Sequence, residues 1–209
     1  MFPLAAVALC SRWPLCYYII MQHKNTYEII IVGRGGQGAK TTAELLVQAA
    51  VRTGRFVQAY PEFGPERSGA PVKTYVRLSD QPIRTHQPID APECILVLDE
   101  QLLSNIYPII KQKKDIALVV NSRKSKAELA QRYGLQAKQI VVVDASGMAM
   151  DIIGENRPNT VILGKFSFVT EKVSLEDICR AFEEKYAEKL GKEKTEKNIE
   201  AIRRAYDEH

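Results

Sequence analysis

Apolar residues recur along this chain with two alternating periods. Tyr27–Val32 is a run of the buried-strand kind, Arg55–Tyr60 reads as a second strand, and Cys94–Leu98, Ile116–Val120 and Ile140–Val143 are further apolar strand runs. Val72–Leu78 alternates like a half-buried strand. Ser79–Gln81 then reads as a turn into a short strand at Pro82–Thr85. That pair predicts an antiparallel hairpin attached to a parallel sheet. Between the strand runs lie helical patterns. Thr41–Arg52 carries Leu45, Leu46 and Ala49 on one face. Others run from Glu100 to about Lys111, over Lys124–Tyr133, and from near Ser146. Asn159–Thr170 has no clear period, and its length predicts a helix. Ser174 with Asp177 three residues on marks a helix start, and Leu175, Ile178, Cys179, Phe182 and Tyr186 form its stripe. Asn198–Tyr206 adds a last amphipathic turn or two, and the charge runs around it read as solvated faces. Repeated strand–helix units predict an α/β fold. It is a three-layer α/β/α sandwich with a mixed, mostly parallel sheet and a helical C-terminus.

The 209 residues suit one domain with an appendage. Residues 21–209 are expected to form it. Residues 1–20 are apolar and carry one charge, Arg12. No basic residue precedes the apolar part, the small-residue cleavage pattern is poor, and Pro14 and Arg12 interrupt a span. Met21 is therefore read as the start of the fold, with residues 1–20 an extension or tail. Without Arg12 the net charge falls from +4 to +3, so the mild basicity names no nucleic-acid or membrane partner either way. Cys10, Cys16, Cys94 and Cys179 include no CxxC pair. They fit a reducing cytoplasm, and this chain is expected to carry no metal and no iron–sulfur cluster of its own.

The candidate chemistry begins after the first strand, in GRGGQG. Gly33, Gly35 and Gly38 satisfy GxGxxG between a strand and a helix, where first-turn amides can face a phosphate or carboxylate. A stand-alone dinucleotide enzyme also needs an acid at the end of the second strand, and that strand ends Ala59-Tyr60-Pro61. Glu62 is the nearest acid and lies in the following loop. A nucleoside-triphosphatase loop needs Lys directly after its last glycine. Here Ala39 intervenes and turns Lys40 by about 100° around the helix. Glycines could also serve close helix–sheet packing with nothing bound.

The loop Pro61–Pro71 is stiffened by prolines and presents Glu66, Arg67, Ser68 and Gly69. It should open at the same carboxyl edge of the sheet as the glycine loop, where open α/β sheets bind ligands. Asp99, Asn121 and Asp144 would end their strands at that edge, and each also reads as a helix cap. The exposed ion pair is the bland reading of Glu66 and Arg67. The stiff loop favours a binding or contact role.

Taken together, GRGGQGAKTTAELL, QAYPEFGPERSGAPVKTYVRLSDQPIR and ILVLDEQLL resemble the gamma subunit of 2-oxoacid:ferredoxin oxidoreductases, the pyruvate synthase group. The resemblance runs from about Tyr27 to the C-terminal helices. It implies a subunit of a complex that oxidatively decarboxylates a 2-oxoacid, passes electrons to ferredoxin and hands the acyl group to coenzyme A, reversibly. It implies thiamine diphosphate, magnesium and 4Fe–4S clusters on alpha, beta and ferredoxin-like delta partners. It gives this chain no catalytic residue. Gly33, Arg34, Gly35, Gly36, Gln37 and Gly38 would line the approach of coenzyme A or meet a partner, and Glu66, Arg67, Ser68 and Gly69 would make loop or partner contacts. The family carries Arg-Arg or Arg-Met where this chain has Arg67–Ser68. The wording of the second stretch is closest to the pyruvate branch, with branched-chain 2-oxoacids or 2-oxoglutarate as alternatives.

Overall fold

The computed structural model describes residues 26–62, 69–113 and 115–208. Six strands form one sheet: β1 (Thr26–Arg34), β2 (Phe56–Pro61), β3 (Pro71–Ser79), β4 (Cys94–Val97), β5 (Ala117–Asn121) and β6 (Ile140–Val143), in the order β2-β3-β1-β4-β5-β6. β1, β4, β5 and β6 run parallel, and β3 lies antiparallel between β2 and β1. β1 sits near the centre and is apolar on both faces, as a strand covered on both sides must be. Ile29 and Ile31 join one core, and Ile30 and Val32 join the other.

Helix α1 (Ala39–Val51) covers the first face together with α4 (Ala145–Ile152), α5 (Pro158–Thr170), α6 (Leu175–Leu190) and α7 (Lys192–Asp207). The second face is covered by α2 (Leu103–Gln112) and α3 (Lys126–Tyr133). This is the three-layer sandwich that the strand–helix rhythm predicts. α5 shows why its sequence has no period. Val161, Ile162, Leu163, Gly164, Lys165, Phe166 and Ser167 are all buried, so the middle of the helix has no solvent face to write a pattern. At Gly164 it lies directly against α7. Ser174 caps α6 by accepting from Asp177 N, as expected. Ser125 and Glu128 form a reciprocal capping box on α3.

Three expectations need correction. Pro82–Thr85 is not a strand. β3 already has β2 on one side and β1 on the other, so it has no free edge to offer. Pro82 also lacks the N–H that a ladder needs. The hairpin is formed by β2 and β3 instead. The last helix is not a turn or two: α7 runs sixteen residues from Lys192. Its first turns are polar and are laced by Lys192–Glu196 and Glu193–Lys197 pairs at i,i+4. Asn121 is not the cap of the helix that follows it, which Ser125 caps, and serves the start of α4 instead. Its Nδ2 donates to Leu98 O and to Ser146 Oγ, both at 2.9 Å, and its Oδ1 accepts from Ser146 N at 3.0 Å. It ties the end of β4 to the start of α4. Among the described residues no helix is long and apolar enough to cross a membrane. The segment 1–20 lies outside the described residues.

Candidate functional site

The carboxyl ends of β1, β4, β5 and β6 open on one edge, and the loops of that edge make the site. Gly33 closes β1 against β4. A Cβ there would stand 3.0 Å from Leu98 Cδ1. Gly36 and Gly38 take the left-handed region, with φ +93° and +85°. The two differ in their surroundings. A Cβ on Gly38 would meet Asn159 Nδ2 at 2.7 Å, whereas Gly36 has nothing within 4 Å of its Cβ position. The packing reading of the glycines thus covers Gly33 and Gly38 and leaves Gly36 facing open space. Gln37 N donates to Arg34 O at 2.9 Å, and Gln37 Oε1 accepts from Arg34 N at 2.7 Å, which closes the turn.

α1 begins at Ala39 with Gly38 as cap residue, no side-chain cap and no acid in its first turn. α5 begins at Pro158 in the same uncapped state. Their first-turn amides and dipoles are the features that stabilise an anion. Both helix starts line one cavity of about 460 Å³, whose walls include Gly36, Gln37, Gly38, Asn156, Arg157, Thr160, Phe182 and Tyr186. Among the described residues, the buried Thr160 hydroxyl has no hydrogen-bond partner. A second hollow of about 380 Å³ adjoins it across Gln37, Leu98 and Ser146. It is lined by Ser122, Arg123 and Lys124 at the end of β5. Ser122 Oγ and Lys124 Nζ both bond to the Glu100 carboxylate, and Arg123 Nε pairs with Asp144 at 3.2 Å.

The glycine loop and the proline loop meet, as their shared edge requires. Gly35 N donates to Ala70 O at 2.8 Å and Gly69 N to Gly35 O at 3.4 Å. Of the loop residues Glu66, Arg67, Ser68 and Gly69, only Gly69 belongs to the described residues. Arg34 is engaged by protein: Nε donates to Asp99 at 2.6 Å and Nη2 to Gln101 Oε1 at 2.8 Å. Asp99 and Asp144 do cap, accepting from Gln101 N and Gly147 N. Glu62 is held by the Tyr75 hydroxyl at 2.9 Å and by Lys73 at 3.5 Å, away from any ribose role. Burial, with that bond to Glu62, pushes the Tyr75 hydroxyl above its ordinary range. Lys40 is exposed and faces Glu44, so it does not reach the loop as a phosphate-binding lysine would.

Sequence reasoning missed Asn156, Arg157, Asn159 and Thr160. The signal was Pro158, a helix-start residue, which sets the amides after it facing outward. Among the described residues, no group of three or more His, Cys, Asp or Glu could hold a metal ion. Cys94 and Cys179 are buried on β4 and α6, and burial raises both thiols. They do not fit a cluster, which needs grouped thiolates.

The sequence model of the pyruvate ferredoxin/flavodoxin oxidoreductase family matches residues 28–208. The chain is 39% identical over 180 residues to the pyruvate/ketoisovalerate oxidoreductases common subunit gamma of Pyrococcus furiosus, covering 86% of this chain and 95% of that one. Among solved structures, it matches the pyruvate oxidoreductase subunit PORC of Thermotoga maritima with a TM-score of 0.76 at 35% identity. That match covers 88% of this chain and 97% of the other. It shares its fold with part of a 2-oxoglutarate:ferredoxin oxidoreductase of Magnetococcus marinus that has coenzyme A bound. There the TM-score is 0.70 at 20% identity, over 87% of this chain and 30% of that one. The chain belongs to the pyruvate ferredoxin/flavodoxin oxidoreductase family.

Proposed function

We propose that this chain is the gamma subunit of a multisubunit oxidoreductase converting pyruvate, coenzyme A and oxidised ferredoxin to acetyl-CoA, CO2 and reduced ferredoxin, reversibly, and that its glycine loop receives coenzyme A. The family match along residues 28–208 supports the first part. One observation carries the second: two uncapped helix starts, α1 and α5, converge on the cavity that Gly36 leaves open. Such a place suits a diphosphate, because amides and dipoles compensate its charge without a lysine. Phe182 and Tyr186 give the same cavity an apolar wall.

The work of this chain is then to bind and orient. Gly33, Gly35, Gly36, Gln37 and Gly38 shape the receiving turn, and Gly69 at the end of the proline loop borders it. Glu66, Arg67 and Ser68 are assigned to the same rim on sequence alone. Thiamine diphosphate, magnesium and the 4Fe–4S clusters belong to alpha, beta and delta partners, with ferredoxin as acceptor in the cytoplasm. The Pyrococcus relative is named as common to pyruvate and ketoisovalerate enzymes, so a branched-chain 2-oxoacid is the second substrate to test.

The test of the complex is an anaerobic pull-down of the C-terminally tagged chain from its own cells. It is assayed for iron, thiamine diphosphate and coenzyme A-dependent viologen reduction with several 2-oxoacids. The test of the site is Gly36→Val. A β-branched residue at φ +93° strains and shifts the turn. The half-saturating coenzyme A concentration should rise about tenfold with the complex intact. Unchanged coenzyme A dependence would remove the loop from the site. NAD binding by a chain without partners would return it to a solitary nucleotide-binding module.

A further inference from the structure

Arg34 ends β1 where three segments meet: the glycine loop, the end of the connection from β2 to β3, and the turn after β4. Its Nε donates to Asp99 Oδ2 at 2.6 Å, its Nη2 to Gln101 Oε1 at 2.8 Å, and its Nη1 reaches Gly69 O at 3.4 Å. A guanidinium is a planar fork with donors only, so three acceptors on two other segments fix its plane as well as its place. Asp99 is itself fixed, because its other oxygen accepts from Gln101 N at 2.9 Å. The backbone repeats the connection through Gly35 N to Ala70 O and Gly69 N to Gly35 O.

We infer that Arg34 is a positioning residue that clamps the glycine loop to Gly69–Ala70 and to the end of β4, and that it does not offer its charge to an anionic ligand. An incoming phosphate would find Nε taken by a carboxylate at 2.6 Å, which is held from its other side and already balances the guanidinium charge. The clamp makes two loops, distant in sequence, into one wall. A ligand that needs both then meets a surface already ordered, and the ordering cost is not charged against its binding. The geometric part stands on the contacts alone. The part that concerns coenzyme A rests on the proposed function.

Two variants of the purified complex separate clamp from ligand contact. Arg34→Lys keeps the charge and can meet Asp99, but cannot also hold Gln101 and Gly69. Asp99→Asn keeps a good cap residue and removes the charge that holds the guanidinium. A clamp predicts that both raise amide exchange at Gly35 and Gly69 about tenfold, with the middle of β1 unchanged. It predicts that both raise half-saturating coenzyme A about fivefold with kcat within about twofold. The double variant should be no worse than the worse single one, since both break one device. Unchanged exchange at Gly35 and Gly69 would overturn the clamp. If Asp99→Asn tightens coenzyme A binding or leaves it unaltered while Arg34→Lys weakens it, the guanidinium touches the ligand and the inference falls. Raised exchange with coenzyme A kinetics intact in both variants would overturn the positioning role. Gly36→Val then reports separately whether the glycine loop binds coenzyme A at all.

Discussion

Gly164 fixes how closely two helices of the first face can approach. It lies in the middle of α5, and α7 crosses it. A methyl there would stand 3.0 Å from the Ile202 carbonyl carbon and 3.1 Å from Tyr206 N, and closer still to the Ile202 carbonyl oxygen. All three atoms are helix backbone, so no rotamer change relieves the clash. For Gly164→Ala the helices must part by something on the order of 1 Å, and a gap of that size forfeits a quarter to a half of each contact's dispersion energy. The contacts at stake are those of buried Val161, Phe166, Ala201, Ile202 and Ala205. The alanine itself favours a helix by up to about 1 kcal/mol, which offsets part of the loss. The net expectation is a destabilisation of about 1–3 kcal/mol, the usual range for overpacking. It should appear as roughly five- to hundredfold faster amide exchange in α5 and α7 of the purified complex, with β4 and β5 unaffected. Exchange that is unchanged or slower would mean the helices have room to yield, and the argument from close backbone approach would fail.

Asn121→Ala removes three hydrogen bonds between β4, β5 and α4 and leaves Leu98 O without that donor. A loss of about 2–3 kcal/mol is expected, read as faster exchange at the start of α4. Lys165 is buried, with Nζ on Glu208 O, and burial lowers its pKa. The folded state therefore holds that proton less tightly than the unfolded state. The penalty is complete below the folded pKa, and stability rises as pH climbs from there to the ordinary lysine range. Lys165→Met should abolish this rise. The check is the difference in stability between the two proteins at about pH 8 and about pH 10.5. A constant difference would show that the buried amine does not titrate there.

What could be read from the sequence followed from how local each feature is. β1, β4 and β5 announce themselves because both faces are covered, so Ile29–Val32, Cys94–Val97 and Ala117–Val120 are apolar without interruption. The glycine loop is equally local, since a turn at Gly36 and Gly38 needs residues that accept positive φ. Sheet neighbours are not local. Nothing in Pro71–Ser79 says that it lies between β2 and β1, and this is why Pro82–Thr85 could pass for its partner. α7 hid its first two turns because only Thr195 and Asn198 are buried there, both polar. The role of Arg34 was hidden for the same reason as the sheet order. Its acceptors lie 65 and 67 residues away at Asp99 and Gln101, and 35 residues away at Gly69. Asn159 and Thr160 reach the cavity only because α5 packs beside α1, where Thr42 Oγ1 donates to Asn159 O at 2.8 Å.

The antiparallel seam between β1 and β3 pairs nine residues on each strand, from Thr26 with Ser79 to Arg34 with Pro71. Both ends of the β2–β3 connection are thereby anchored, one at Pro61 opposite Thr74 and the other at Pro71 opposite Arg34. The register of the sheet is set by this ladder, so a change in the length of the connection costs closure entropy only slowly, provided Gly69 and Ala70 stay in place to meet Arg34 and Gly35. The two paired ends form a fixed socket beside the glycine turn. Swapping this one stretch between relatives is the natural way to test whether a rim contact moves with it from one enzyme to another.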